Sequence, residues 1–204
     1  PCLWCLGCYI IEVVMSVRVK VCGITRSEDA QSAIKAGVDA IGFVFWPQSP
    51  RYIDPESAYR IASRIPSFIT VVGVYVDPDA SWVEQTIQKV KLNLLQFHGD
   101  ESPEFCAQFS VPYIKAIRVK EDTDLLQYAQ RYETAKGLLV DTYTVGMPGG
   151  TGHTFDWKLI PSRLPLPLIL SGGLNPENVS NAIRETRPWA VDVSSGVEVA
   201  KGIK

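Results

Sequence analysis

Among the side chains whose types suit acid–base chemistry in this chain of 204 residues, Cys22 and Asp141 each close an apolar run. Cys22 ends VRVKVC and hands over to Gly23, while Asp141 ends GLLVD. A buried free thiol is most often a small hydrophobe, the reading that Cys106 invites within PEFCAQF. Cys22 differs by standing where a strand passes into a glycine-containing loop. A carboxyl after four apolar residues is either a helix cap or a site acid, and the next helix start lies only at Asp156, which favours the acid. Other polar residues close further runs: Gln96 and His98 in LLQFHGDE, Asp192 in VDVSSG, and Arg51 in the loop after DAIGFVF. His98 could face a ligand or cap the following helix. Asp192, between two valines, is expected to point to the lumen side, where a structural hydrogen bond to neighbours is the other reading. The last two apolar runs end in Ser171-Gly172-Gly173 and Ser194-Ser195-Gly196. Such small residues let N–H groups and hydroxyls converge on an anion, so a phosphate site is expected there. His153, in the glycine-rich GGTGHTFDW, is the less favoured histidine. With two histidines and scattered cysteines, no metal-ligand spacing appears, and no metal is expected.

The elements that must position these residues alternate in kind. Eight β-branched apolar runs begin near Val17, Asp39, Ile69, Leu92, Pro112, Lys136, Pro167 and Trp189. Between them lie helical stretches with recognisable starts: Ser27, Asp54-Pro55, Asp79, Ser102-Pro103, Asp122 and Asn175-Pro176, with a short turn capped by Asp156. Apolar strands separated by helices imply a parallel sheet covered on its outer face. Eight such units predict a closed (β/α)8 TIM barrel, whose active site lies at the carboxyl ends of the strands. A doubly wound sheet is disfavoured, because the first strand leads into CGITR and the GGTG at Gly149–Gly152 lacks the third glycine and the tight turn before it.

Composition narrows the partners. Twenty basic residues against 22 acidic ones, for a net charge of −2, leave no field to attract nucleic acid, so a small-molecule substrate is expected and nucleic acid is not. Three of the five cysteines, Cys2, Cys5 and Cys8, open the spacing of an iron–sulfur ligand run, but Glu12 stands where the fourth ligand belongs. The apolar run 3–14 is too short to span a bilayer and lacks the basic flank of a secretory signal, so no membrane partner is expected and the cytoplasm is the expected location. Residues 1–14 are expected to lie outside the native domain, with 15–204 forming one barrel domain. Oligomeric state, monomer or homodimer, is left open.

In order, KVCGIT (20–25), DAIGFVF (39–45), SPRYI (49–53), LLQFHGDE (94–101), LLVDT (138–142), GGTGHTFDW (149–157), LSGGLNPENV (170–179) and VDVSSGVE (191–198) resemble the phosphoribosylanthranilate isomerase family of tryptophan biosynthesis. The resemblance runs from Val17 to the C-terminus. It implies an Amadori rearrangement of N-(5′-phosphoribosyl)anthranilate to 1-(2-carboxyphenylamino)-1-deoxyribulose 5-phosphate, without metal or cofactor. By motif position it implies Cys22 as general base, Asp141 as general acid and Arg51 at the anthranilate end. His98 and Asp192 match further substrate positions, joined by Gln96 from its own strand end. The two small-residue segments, Ser171 to Gly173 and Ser194 to Gly196, match the phosphate cradle. On that chemistry a protonated Asp141 serves the furanose ring oxygen. Cys22 must act as thiolate, with a pKa expected to be lowered by the positive phosphate end. The resemblance also implies an eighth helix after VDVSSGVE, for which no length remains before Lys204, leaving apolar surface exposed beside the cradle. Two alternatives stay open: an inactive barrel that at most binds a phosphorylated ligand, and the related aldose–ketose isomerase of histidine biosynthesis. The latter uses two aspartates, whereas Cys22 occupies the base position here.

Overall fold

The computed structural model describes residues 16–142 and 156–204. The expected leader, 1–14, with Cys2, Cys5 and Cys8, lies outside them, as does the segment with Gly149–Gly152 and His153. Eight strands form: β1 (Arg18–Cys22), β2 (Ala40–Val44), β3 (Thr70–Tyr75), β4 (Leu94–Phe97), β5 (Tyr113–Val119), β6 (Leu138–Thr142), β7 (Leu168–Leu170) and β8 (Ala190–Val193). They pair in parallel, in sequence order, and close with β8 against β1. All eight expected runs are strands of one closed barrel. The helices are α1 (Ser27–Lys35), α2 (Pro55–Ala62), α3 (Ala80–Val90), α4 (Pro103–Ala107), α5 (Leu125–Arg131) and α6 (Val179–Thr186).

The strand period of two divides the core into an inside and an outside. Tyr113, Ile117 and Val119 of β5 face outward into the clusters beneath the helices. The alternate residues Ile114 and Ala116 join Leu139 and Ile169 in a separate apolar plug within the barrel. Leu94 and Ala190, the first residues of β4 and β8, pack against that plug. Above it, Cys22, Val44 and Val74 form a smaller cluster with Trp46 at the carboxyl ends of the strands. A cavity lies at this carboxyl end.

Side-chain caps set the starts of α2, α4 and α5, and two helices start later than the sequence predicts. α5 begins at Leu125 because Asp124, not Asp122, accepts from the Leu126 and Gln127 N–H groups at 2.9 and 3.0 Å. α6 begins at Val179 rather than at Pro176, since Asn175 Oδ1 accepts from the Glu177 and Asn178 N–H groups in a preceding turn. Between β6 and β7 the described chain makes a single 3₁₀ turn at Trp157–Leu159, capped by Asp156 as expected. After β8, a 3₁₀ turn at Ser195–Val197 leads into a hairpin-like turn bridged between Ala200 and Ile203. No α-helix follows β8 among the described residues, and Val199 there is 83% exposed. No helix among the described residues is long and apolar enough to cross a membrane.

Candidate active site

The cavity at the carboxyl ends has a volume of about 300 Å³. Its base side is built by β1. Lys20 and Cys22, two residues apart, both point inward, and the parallel register sets Lys20 beside Asp192 of β8 and Cys22 beside Gly42 of β2. Lys20 Nζ lies 2.9 Å from Asp192 Oδ1, with the two side chains only 6% and 5% exposed. Gly42 makes room for the group: a Cβ there would stand 3.0 Å from Cys22 Sγ and 3.2 Å from Lys20 Nζ. Gly23, directly after the thiol, has φ +75° and supports the Arg51 side chain, which a Cβ would strike at 2.5 Å. This is the physical use of the Cys-Gly junction. It turns the chain and brings Arg51 over the mouth.

The acid side is a chain of three polar residues. Gln96 and the residue two further on, His98, face inward from β4 and the turn after it, and Gln96 Nε2 meets His98 Nδ1 at 3.2 Å. His98 Nε2 in turn meets Asp141 Oδ2, at the end of β6, at 3.1 Å. Asp141 Oδ1 accepts from the Thr142 N–H at 2.8 Å. His98 therefore faces the site, and the helix after it is capped instead by Ser102, which accepts from the Phe105 N–H. Gln96 Oε1 is buried with no hydrogen-bond partner among the described residues, so this chain has one open acceptor.

The third side comes from β7 and β8. Ser171, Gly172, Gly173, Ser194 and Ser195 all line the cavity, and Gly172 and Gly173 both have positive φ. Gly196 departs from the expectation. It is not among the lining residues, and a Cβ on it would collide with the Leu174 carbonyl, so its smallness serves packing between the two loops. Ser194 is engaged by the protein: its hydroxyl donates to the Cys22 carbonyl at 3.1 Å and accepts from Lys204 Nζ at 3.2 Å. The fourth wall is apolar, with Val44, Trp46 and Val74. Among the described residues, no three His, Cys, Asp or Glu side chains gather in a way that could hold a metal ion.

Electrostatics correct a second expectation. Burial pushes the Cys22 thiol up from its usual range, Lys20 works against this, and Asp192 adds to it. The thiol is thus shifted away from thiolate and not toward it. Burial is the largest single influence on Lys20 and works to lower it, but the charges and hydrogen bonds of Asp192 and Cys22 together outweigh it and raise the ammonium above its usual range. On Asp192, burial prevails over Lys20 and raises the carboxyl. The group as a whole holds its protons tightly.

At the mouth, Arg51 forks onto Glu198, Nε to Oε1 at 2.7 Å and Nη2 to Oε2 at 2.8 Å. Lys204 Nζ meets the same carboxylate at 2.8 Å. Burial would raise Glu198, but the hydrogen bonds and charges of Arg51 and Lys204 bring it down to about 2. Every residue expected at the site except Gly196 lines this cavity, and Lys20, Trp46, Glu198 and Lys204 join them without a motif of their own. Lys20 did leave a signal, a lysine within an apolar strand two residues before the thiol. Glu198 left none, because its partners lie 147 residues upstream and six downstream.

Residues 19–204 match the family model described as N-(5′-phosphoribosyl)anthranilate (PRA) isomerase. The chain belongs to the phosphoribosylanthranilate isomerase family. Curated members of that family include an N-(5′-phosphoribosyl)anthranilate isomerase of Nitrosomonas europaea, 65% identical over 190 residues, covering 93% of this chain and 90% of the relative. The Nitrosospira multiformis relative of the same name is 66% identical, covering 93% and 91%. Among solved members, the crystal structure of the Thermotoga maritima isomerase is 45% identical, with TM-score 0.84 and 93% of each chain covered. Another family structure, 41% identical with TM-score 0.78, covers 93% of this chain and 92% of its own; it is a complex with reduced 1-(o-carboxyphenylamino)-1-deoxyribulose 5-phosphate.

Proposed function

We propose that this chain converts N-(5′-phosphoribosyl)anthranilate into 1-(2-carboxyphenylamino)-1-deoxyribulose 5-phosphate, an aldose–ketose isomerisation serving tryptophan biosynthesis. Residues 15–204 act in this reading as one barrel domain. The observation that carries it is a thiol and a carboxyl, three strands apart around the barrel, on one cavity that two small-residue turns close from a third side. The phosphate is taken by the N–H groups and hydroxyls of Ser171 to Gly173, Ser194 and Ser195. The anthranilate ring lies on Val44, Trp46 and Val74, with its carboxylate toward Arg51. Glu198 occupies Nε and Nη2 of that guanidinium, so it fixes the fork and leaves the Nη1 edge for the ligand.

The chemistry then follows from what each group can hold. Asp141 gives its proton to the furanose ring oxygen as the bond from C1′ to that oxygen breaks, and the anilino nitrogen lone pair closes a Schiff base. Cys22, as thiolate, takes the C2′ proton, and the C2′–H electron pair forms the enolamine, which tautomerises to the ketose. A protonated Asp141 donates to His98 Nε2, which places the imidazole proton on Nδ1 and turns the Gln96 amide so that its oxygen accepts it. After the proton is given up, the other tautomer of His98 donates to the carboxylate. Gln96 and His98 thus orient the acid in both of its states, and Asp192 holds the sugar side of the site. A phosphorylated substrate cannot cross a bilayer without a large cost in charge burial, so we place the reaction in the cytoplasm.

The test is the loss of anthranilate-adduct fluorescence on adding the protein, with Asp141→Asn as comparison. The wild-type chain is expected to abolish the signal, and the variant to lose roughly 10²–10⁴-fold in kcat with its fold retained. Binding of the adduct without any loss of fluorescence by the wild-type chain overturns the reading in favour of a binding-only barrel.

A further inference from the structure

The site poses a problem that the fold answers nearby. A base made from Cys22 must be a thiolate, yet the thiol is buried and burial opposes its charge. The charged groups around it are Lys20 on its own strand, Asp192 on β8, Arg51 from the loop after β2 and Lys204 from the segment after β8. Asp141 and His98, from β6 and β4, act on Asp192 in turn. Of these, Lys20 stands closest in construction. It shares the inward face of β1, its ammonium is fixed at 2.9 Å by Asp192, and it and the thiol converge on the space that Gly42 leaves empty.

We propose that Lys20 is a positioning residue that serves as counter-ion to the Cys22 thiolate, while Asp192 both seats the ammonium and restrains the thiol from ionising. This rests on the reading of Cys22 as the base. The two members of one ion pair then act on the thiol with opposite signs. Lys20 favours the charged sulfur by direct attraction. Asp192 opposes it by repulsion and by consuming part of the field of Lys20. The balance keeps a strong base in hand: a sulfur ionised too easily would be a poor acceptor for a carbon-bound proton, and one without a counter-ion would not ionise at all.

The test is the pH dependence of iodoacetamide alkylation at Cys22 in the whole chain, read from the mass of the peptide that carries it. This separates Cys22 from Cys106 and the three N-terminal cysteines. Asp192→Asn is expected to lower the midpoint by about one pH unit and so speed alkylation at neutral pH about tenfold. Lys20→Met in the Asp192→Asn background, which leaves no unpaired charge, is expected to return the midpoint to a value above that of the wild type. The rising limb of kcat/KM against pH should move in the same directions. A midpoint for Asp192→Asn at or above the wild type overturns the proposal. So does a double variant that ionises as easily as the wild type, which serves alone if Asp192→Asn fails to fold. A purely structural ion pair would move every variant in one direction or none. Full turnover by Cys22→Ala would instead overturn the assignment of the base, and the alkylation midpoints would still report on Lys20.

Discussion

Two of the buried lysine–carboxylate pairs among the described residues, Lys115–Glu101 and Lys20–Asp192, have equal length and different uses. Lys115 and Glu101 lie 2.9 Å apart with side chains 3% and 2% exposed. The three hydrogens of that ammonium meet three acceptors: Glu101 Oε2, the Gly99 carbonyl at 2.6 Å and the Phe97 carbonyl at 3.3 Å. Glu101 Oε1 in turn accepts from the Asp77 and Gly99 N–H groups. The pair is saturated by backbone and ties the turn after β4 to β5. Lys20 and Asp192 are also 2.9 Å apart, but this ammonium meets one carboxylate and a thiol, and both partners border the cavity or its thiol. Equal distance and burial do not make the pairs equivalent. What separates them is the number of hydrogens left over for chemistry.

The largest expected effect is on the saturated pair. Lys115→Met leaves Glu101 buried without its cation, and breaking such a pair typically costs about 3–5 kcal/mol, visible as a lowered midpoint in urea. The Cys22 alkylation profile of the molecules that remain folded should be unchanged, whereas a shift there would erase the contrast between the pairs. Gly42→Ala sharpens it from the other side. The added Cβ forces Cys22 Sγ and Lys20 Nζ to give way, so kcat should fall about tenfold, or ~1.4 kcal/mol, while stability drops less than in Lys115→Met. The smallest effect belongs to Glu198 at the mouth. Its carboxyl is about 2 in the fold against an ordinary 4.5, so it contributes stability that is present above the ordinary value and is lost as pH falls toward about 2. Glu198→Gln should be less stable than the wild type at neutral pH, and the difference should close across that acid window in urea titrations. A gap that stays constant with pH would mean Glu198 is held by packing and not by its charge.

Most of the frame was legible because it is written in local pattern. Eight apolar runs became eight strands, and helix starts such as Asp54 and Ser102 are caps that act within three residues. α5 and α6 start later than read, because two carboxyls or two asparagines stood near each start and local spacing did not decide between them. Cavity-lining residues were legible wherever a polar side chain closes an apolar run, as with Cys22, His98 and Asp141. The Lys20–Asp192 pair was not, since its partners are 172 residues apart and meet only when β8 closes on β1. The direction of the thiol shift was missed for a related reason. Burial is a property of the closed barrel, and it exceeds the positive influences that the motifs suggested.

The central claim is that the Cys22 sulfur removes the C2′ proton of the bound sugar. The most direct measurement is the turnover of Cys22→Ala, a folded chain whose binding of the adduct is verified by fluorescence. The account predicts a fall in kcat of roughly 10²–10⁴-fold with binding retained. Turnover near that of the wild type would contradict it.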